Sequence, residues 1–289
     1  MASTQRLRAQ IKSVRSTRQI TKAMEMVSAS KLRRAQEAAL RSRQFATLSQ
    51  ELLTRIRQLT DVSVHPLFQR RDVRHRLIIV VASDGTLAGG YNANVLKFFA
   101  TELRKDRENG VVNQVITVGK QATNFCAKIE DVDVVGAYHD FVDKPTAEDL
   151  RPILVTALDG FLNESYDAVD IVYTDFVSSV NQKPSIARIL PAAFEDVSLP
   201  AHLENAPFEP SPKKVLLEVT ERFVEVQMMQ YMLESAASEH SSRMLAMKNA
   251  SDNADDLLES YTLAMNTARQ AAITQELAEI SGGVEALNG

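Results

Sequence analysis

Apolar residues recur at helical spacing over both ends of the chain and at strand spacing only in its middle. Over residues 3 to 60 they fall four and three apart in patches: Leu7, Ile11 and Val14, then Ile20, Met24 and Val27, then Phe45, Leu48, Leu52, Ile56 and Leu59. These positions mark the expected inward face of one helix about 85 Å long, too long to be buried by a small domain and so in need of a partner helix. The C-terminal segment offers one. Stepping four and three from Val219 gives Phe223, Val226, Leu233, Ala237, Met244, Met247, Ala254, Leu258, Tyr261, Met265, Ala268 and Ala272, interrupted only by Gln230, His240 and Ser251 and ending on Gln275. A helix from about 213 to 281, roughly 100 Å, follows from this pattern, with Gly282-Gly283 expected to close it in a left-handed cap. Both arms leave and return to one middle segment, so they are expected to pair as an antiparallel two-stranded coiled coil. His240, on the seam, reads as a tolerated polar insertion.

The middle alternates between the two periods. Strands are predicted over 76–83, 111–119, 132–138, 168–178 and 185–190, and helices over 92–109, 121–129 and 146–163, the last with Pro152 near its first turns. A turn at Asn181-Gln182-Lys183-Pro184 precedes the last strand, and five prolines in 191–212 read as an extended connection. The fold class is α/β plus coiled coil: long N- and C-terminal helices enclosing an open, Rossmann-like sheet, largely parallel with an antiparallel edge hairpin. The segments are 1–65, 66–212 and 213–289.

Composition sharpens this division. Of 10 Gly and 9 Pro, none precedes Pro66 and none falls between Pro212 and Gly282, which leaves both arms free of turn residues. Residues 1–76 carry 17 Lys and Arg against 5 Asp and Glu, whereas 213–289 carry 6 against 12, so the two arms attract one another. The basic arm has Phe45 as its only aromatic before Phe68, too few for stacking on bases, so a protein partner is favoured over nucleic acid. The longest fully apolar run, Leu77 to Ala82, is far short of a membrane span, and residues 1–10 do not read as a secretory signal.

A search for chemistry returns little. Ser83-Asp84-Gly85-Thr86-Leu87-Ala88-Gly89-Gly90-Tyr91-Asn92 follows the first strand, where open α/β sheets bind ligands. No Lys follows its glycines, and their spacing fits neither phosphate-binding pattern. Asp84-Gly85-Thr86 resembles the Asp-x-Asp-Gly-Thr signature of haloacid-dehalogenase-like phosphatases, but Ala82 stands where the nucleophile belongs. A tight turn with close backbone approach is the preferred reading. The single cysteine, Cys126, reads as a small buried apolar residue within a helix, and His65, His75, His139, His202 and His240 are scattered. The acidic pairs Glu130/Asp131, Asp140/Asp143 and Glu148/Asp149 lack a calcium-loop pattern. No catalytic group, cofactor or metal is expected.

The two ends carry a resemblance. Ile20-Thr21-Lys22-Ala23-Met24-Glu25-Met26-Val27-Ser28-Ala29-Ser30-Lys31-Leu32 resembles the N-terminal motif of the gamma subunit of F-type ATP synthases, and Ile273-Thr274-Gln275-Glu276-Leu277-Ala278-Glu279-Ile280-Ser281-Gly282-Gly283 resembles that family's C-terminal signature. Arg243-Met244-x-Ala246-Met247-Lys248-Asn249-Ala250, Ala268-Arg269-Gln270-Ala271 and the Ser83-to-Asn92 loop are similar too, in order along the chain. Val284 stands where the family usually has Ala, and Gly85-Thr86 where it has a basic residue and Gly. The inserted cysteine pair of chloroplast members is missing.

The resemblance implies a rotor shaft inside a ring of three alpha and three beta subunits, with the α/β domain beside the epsilon subunit on the membrane c-ring. Proton flow would turn the shaft, and ATP chemistry would belong to the beta sites. It further implies that Lys22, Met24, Met26, Arg33 and Arg34 face beta loops, that Arg269, Gln270, Thr274, Gln275 and Glu276 lie near the same catch on the opposite helix, that Leu277 to Leu287 form a tip in an apolar bearing, and that Phe208 and Glu209, before Pro210, lie near the c-ring. A peripheral position on the cytoplasmic face of a bacterial membrane is expected, with the mitochondrial matrix side as the alternative. A coiled-coil adaptor and an enzyme acting through the Asp84 loop remain as other readings.

Overall fold

The computed structural model describes residues 2–62, 65–130, 132–140, 145–193, 208–209 and 211–288, without the side chains of 2–4, 213, 217 and 283–288. Helix α1 spans Ala2–Leu59. Strand β1 (His75–Val81), helix α2 (Tyr91–Glu108), β2 (Val112–Val118), α3 (Lys120–Cys126), β3 (Asp133–Tyr138), α4 (Ala147–Leu162), β4 (Ala168–Phe176) and β5 (Gln182–Leu190) follow in turn. Helix α5, Pro212–Asn288, completes the chain. Two compact units divide inside the long helices: residues 1–28 with 243–289, and residues 29–242.

In the larger unit the five strands lie in the order β3-β2-β1-β4-β5, parallel except for β5, which runs antiparallel to β4. This bears out the open sheet with an edge hairpin. The last strand begins at Gln182 rather than at Ser185, and Pro184 sits opposite Thr174 within it. A proline is tolerated there because an edge strand has one side without ladder partners.

The sheet is doubly wound. Helices α2 and α3 cover one face, where Val95, Phe99, Ala122 and Cys126 pack on Ile78, Val80 and Val115. Helix α4, started by a capping box between Thr146 and Asp149, covers the other face with Ile153, Ala157 and Phe161. Val224, Met228 and Met232 of α5 join that second core, and the rings of Tyr231 and Tyr173 meet at 4.6 Å. Cys126 is buried as expected but is the last residue of its helix. At the amino ends of the strands, Asp170 of β4 is buried between the guanidinium groups of Arg76 and Arg188, and Arg76 also grips Asp106 at 2.7 Å. Burial opposes a charge on Arg76, yet the two carboxylates outweigh it and hold the group protonated.

Within this unit α1 packs on α5 through Leu53 and Ile56 against Leu216 and Phe223, and Arg43 reaches Glu234 at 3.4 Å. From Met232 to Ser241 every residue of α5 is buried. The Pro-rich connection lies largely outside the described residues.

In the smaller unit the predicted α5 seam is observed. Met247, Ser251 and Ala254 are buried and Leu258, Tyr261, Met265, Ala268 and Ala272 are half-buried, while most residues between them face solvent. Arg18 pairs with Asp255 at 2.5 Å, which fixes the antiparallel register of α1 against α5.

The inward face predicted for α1 is only partly correct. Leu7, Ile11, Val14, Met24, Leu52 and Ile56 turn inward, but Ile20 (58% exposed), Val27 (56%), Phe45 (64%), Leu48 and Leu59 face outward. Leu32 takes a buried position instead, with Thr21, Ser28, Ala35 and Ala39, small side chains that a closely approached partner helix admits where larger ones would hold it off. Gly282-Gly283 does not end α5, which continues to Asn288. Glycine permits a left-handed turn without forcing one, and in a helix it costs about 1 kcal/mol relative to alanine.

Candidate functional site

Two places in the larger unit could carry chemistry, and both lie at the carboxyl ends of the strands. The first is the loop after β1. The Asp84 carboxylate accepts hydrogen bonds from the backbone N–H of Lys120, after β2, and of Asp140, after β3, both at 3.0 Å. The Lys120 ammonium bonds Asp140 at 2.7 Å, which raises the lysine pKa and lowers that of the carboxylate. Ser83 and Asn92 exchange hydrogen bonds across the base of the loop, the backbone N–H of Ser83 and the Asn92 amide both donating.

Asp84 is thus a clasp joining three strand ends. A close backbone approach is made not by the loop's own glycines but by Gly119 after β2, at φ +94°, where an added Cβ would lie 2.1 Å from the carbonyl oxygen of Ala82. Among the described residues no group of three His, Cys, Asp or Glu is placed to hold a metal.

The second place is the crevice between β1 and β4, where the strand order reverses and open α/β sheets ordinarily bind ligands. Helix α5 occupies it. The Ser235 hydroxyl meets the Tyr91 phenol at 2.8 Å and accepts from the Thr174 backbone N–H at 3.3 Å, and Ser238 donates to the Thr174 carbonyl at 3.0 Å. Tyr91 opens α2 after the loop that follows β1, and Thr174 lies near the carboxyl end of β4. One turn further on, Ser241 donates to the Ser179 carbonyl at 2.9 Å and Ser242 to the Gln182 side-chain oxygen at 3.1 Å. Gln182 in turn donates to Ser241 at 3.5 Å.

The heptad seam led away from these serines, since it passes through Leu233, Ala237 and His240. The signal that finds them is their own spacing, Ser235-x-x-Ser238-x-x-Ser241-Ser242, which sets the serines three and four apart on one side of the helix.

The residues expected to meet partner subunits lie on the helices. Lys22 is exposed and ion-paired with Glu25 at 2.9 Å, Met24 is half-buried, and Met26 is 66% exposed. Arg33 and Arg34, in the larger unit, are exposed. Arg269, Gln270, Thr274, Gln275 and Glu276 all face solvent, with Gln275 donating to Glu279 at 2.9 Å.

The structure does not bring the two helix groups of the smaller unit together. The Arg18–Asp255 register sets Lys22 level with about residue 251, roughly 27 Å along the axis from Arg269. Ile273, Leu277 and Ile280 form an exposed apolar stripe on α5. Phe208 packs beside the Leu53 and Phe223 cluster, Glu209 is exposed, and Pro210 and the side chain of Val284 lie outside the described residues.

Paired terminal helices with a doubly wound sheet inserted between them, its crevice taken by one of those helices, define a helical-shaft protein carrying an α/β domain. The family model described as ATP synthase matches residues 3–287. The ATP synthase gamma chain of Legionella pneumophila (strain Corby) is 36% identical over 289 residues, covering 99% of this chain and 100% of the relative. That of Xylella fastidiosa (strain M12) is 38% identical over 288 residues, with the same coverage. The chain belongs to the ATP synthase family, among the gamma chains.

Solved structures agree in fold. A chain of the Tetrahymena thermophila mitochondrial ATP synthase central stalk and c-ring aligns with a TM-score of 0.60 at 21% identity, over 80% of this chain and 99% of that one. A chain of the Euglena gracilis mitochondrial ATP synthase, in an assembly of OSCP, F1 and c-ring, aligns with a TM-score of 0.64 at 16% identity, over 99% of this chain and 95% of that one. No helix among the described residues is long and apolar enough to cross a membrane.

Proposed function

We propose that this chain is the central stalk of a proton-translocating F-type ATP synthase, a non-catalytic subunit that turns inside a ring of three alpha and three beta subunits and couples c-ring rotation to ATP synthesis or hydrolysis at the beta sites. The observation that carries this reading is the end-to-end match to gamma chains, in which nearly the whole of this chain aligns with the whole of each relative. The physical arrangement supports it. A shaft needs stiffness along two helices uninterrupted by Pro, and an outer surface able to touch a ring of neighbours.

The outward-facing residues fill that last role. Ile20, Met26 and Val27 leave apolar surface on α1, Lys22, Arg33 and Arg34 add positive charge for acidic beta loops, and Met24 lies at the rim of the seam. Arg269, Gln270, Thr274, Gln275 and Glu276 make a second, separate contact region on α5. The stripe Ile273, Leu277 and Ile280 fits an apolar bearing, since a lone helix leaves such side chains wet unless another protein encloses them. Phe208 anchors its segment to the base of the paired helices while Glu209 points outward, as a c-ring or epsilon contact requires. The complex is peripheral to the membrane, on the cytoplasmic face in a bacterium.

Purification of the tagged chain from native membranes tests this proposal. Alpha-like and beta-like nucleotide-binding subunits are expected with it. Recovery of the chain alone would leave the adaptor reading, and ATP turnover by the isolated chain would favour the enzyme reading.

A further inference from the structure

In an open α/β sheet the crevice at the switch point is open to solvent and exchanges ligands. Here it is closed by a segment of the same chain that is buried on every side from Met232 to Ser241. Apolar packing of Val224, Met228 and Met232 holds α5 against the sheet, but the hydrophobic force has no preferred direction and leaves the helix some freedom to roll. Directional hydrogen bonds remove that freedom. Six of them join α5 to α2, β4, β5 and the turn between the two strands: Tyr91–Ser235, Thr174–Ser235, Ser238–Thr174, Ser241–Ser179, Ser242–Gln182 and Gln182–Ser241. They come from both strands of the edge hairpin and from the first residue after the β1 loop, so they resist rotation of the helix about its own axis as well as movement along it.

From this geometry we infer that the ligand crevice of the α/β domain has become the torsional joint of the molecule, with Ser235 and Ser238 as the keys that pass torque between the sheet and the shaft helix. Ser235 is the central key, since it alone bonds two elements, α2 and β4, that flank the crevice. Tyr91 is its seat on the sheet side. These are positioning residues: they touch no reacting atom and act by holding the helix at one angle. The inference rests on the central-stalk reading.

The test is the angular stiffness of the assembled rotor. The full complex is immobilised by its ring, and a bead is attached to the α/β domain through Lys105→Cys in a Cys126→Ser background; the width of the bead's angular distribution within each dwell then reports stiffness. Ser235→Ala with Ser238→Ala deletes three of the six contacts while the apolar contacts of Val224, Met228 and Met232 remain, so the joint softens and the bead's angular variance, which also contains the twist of the paired helices, rises measurably but by less than twofold. Tyr91→Phe removes one contact without altering shape, gives a smaller rise in the same direction, and decides the matter if the double variant fails to assemble. Thr117→Val deletes the contacts of Thr117 with Thr123 and the Gly136 carbonyl elsewhere in the domain and leaves the variance unchanged, which separates the joint from general loosening. Unchanged variance in both joint variants, or an equal rise in Thr117→Val, overturns the inference. A parent complex whose bead never rotates on ATP addition overturns the stalk reading itself.

Discussion

Replacing Asp170 tests whether the buried charge cluster, rather than the sheet ladder, fixes the amino ends of the strands. The Asp170 side chain is 2% exposed and is shared by Arg76 and Arg188, whose side chains are 11% and 41% exposed. In Asp170→Ala, Arg188 is free to turn into water, so its loss costs little. Arg76 cannot follow. It keeps Asp106 but loses its second counter-charge in a buried setting, where an uncompensated charge costs about 3–5 kcal/mol.

With Asp106 still in place the lower end applies, about 3 kcal/mol, which at a slope of about 2–3 kcal/mol/M lowers the urea midpoint of the full-length chain by about 1–1.5 M. Arg188→Ala leaves the Arg76–Asp170 pair intact and removes a half-exposed partner, for about 1 kcal/mol or less. The chain has no Trp, and five of its six tyrosines lie in residues 29–242, so tyrosine fluorescence follows this unit. A cost under 1 kcal/mol for Asp170→Ala, or equal costs for the two variants, would refute the reasoning.

Three more outcomes follow from the site and the core. Burial pushes the Cys126 thiol up to about 11, so a disulfide reagent at pH 8 modifies the native chain slowly and the urea-unfolded chain at the rate of a free thiol; fast native labelling contradicts the assignment. His65 accepts a hydrogen bond from the Leu67 backbone N–H and is buried, which lowers its pKa below 6.5 in the folded state; its stabilising contribution is therefore full above that value and is lost as pH falls toward the folded-state pKa. His65→Asn keeps a capping acceptor without titrating, so the urea midpoints of the two chains should converge as pH drops, and parallel curves would exclude His65. Met24→Lys, at the rim of the α1 seam, leaves the complex assembled but lowers protons pumped per ATP hydrolysed in reconstituted vesicles; an unchanged ratio would remove Met24 from the contact surface.

The sequence made some of this plain and hid the rest for identifiable reasons. The α5 seam from Met247 to Ala272 is legible because one partner, α1, dictates one face there, whereas from Met232 to Ser241 every face is buried and the seam is only one of several. The strands are legible because burial on both faces leaves continuous apolar runs such as Leu77 to Ala82. The orientation of α1 is not, because Ile20, Val27 and Phe45 look like core when only the chain's own packing is considered, and the inward Ser28, Ala35 and Ala39 carry too little hydrophobicity to compete. Gly282-Gly283 marks a permitted stop that the helix passes through. The candidate contact residues Lys22 through Glu276 are legible only through resemblance to a family, since exposed charged and amide side chains have no local signature of their own. The serine keys were hidden because serine is common, and only the sheet shows what lies opposite them.

The shared core of the α/β domain sets an order of events during synthesis. Its α4-side core is incomplete without Val224, Met228 and Met232, and its crevice is open until Ser235 and Ser238 arrive. The contacts of α1 with Glu234 and Phe223 likewise join residues far apart in the chain, 191 positions in the case of Arg43 and Glu234. A growing chain therefore carries an unpartnered first helix and an open sheet for most of its translation, with few local contacts to hold them. The last helix made is the one that closes the domain, so a chain cut short between Leu190 and Met232 would hold all five strands and still fail to become a finished protein.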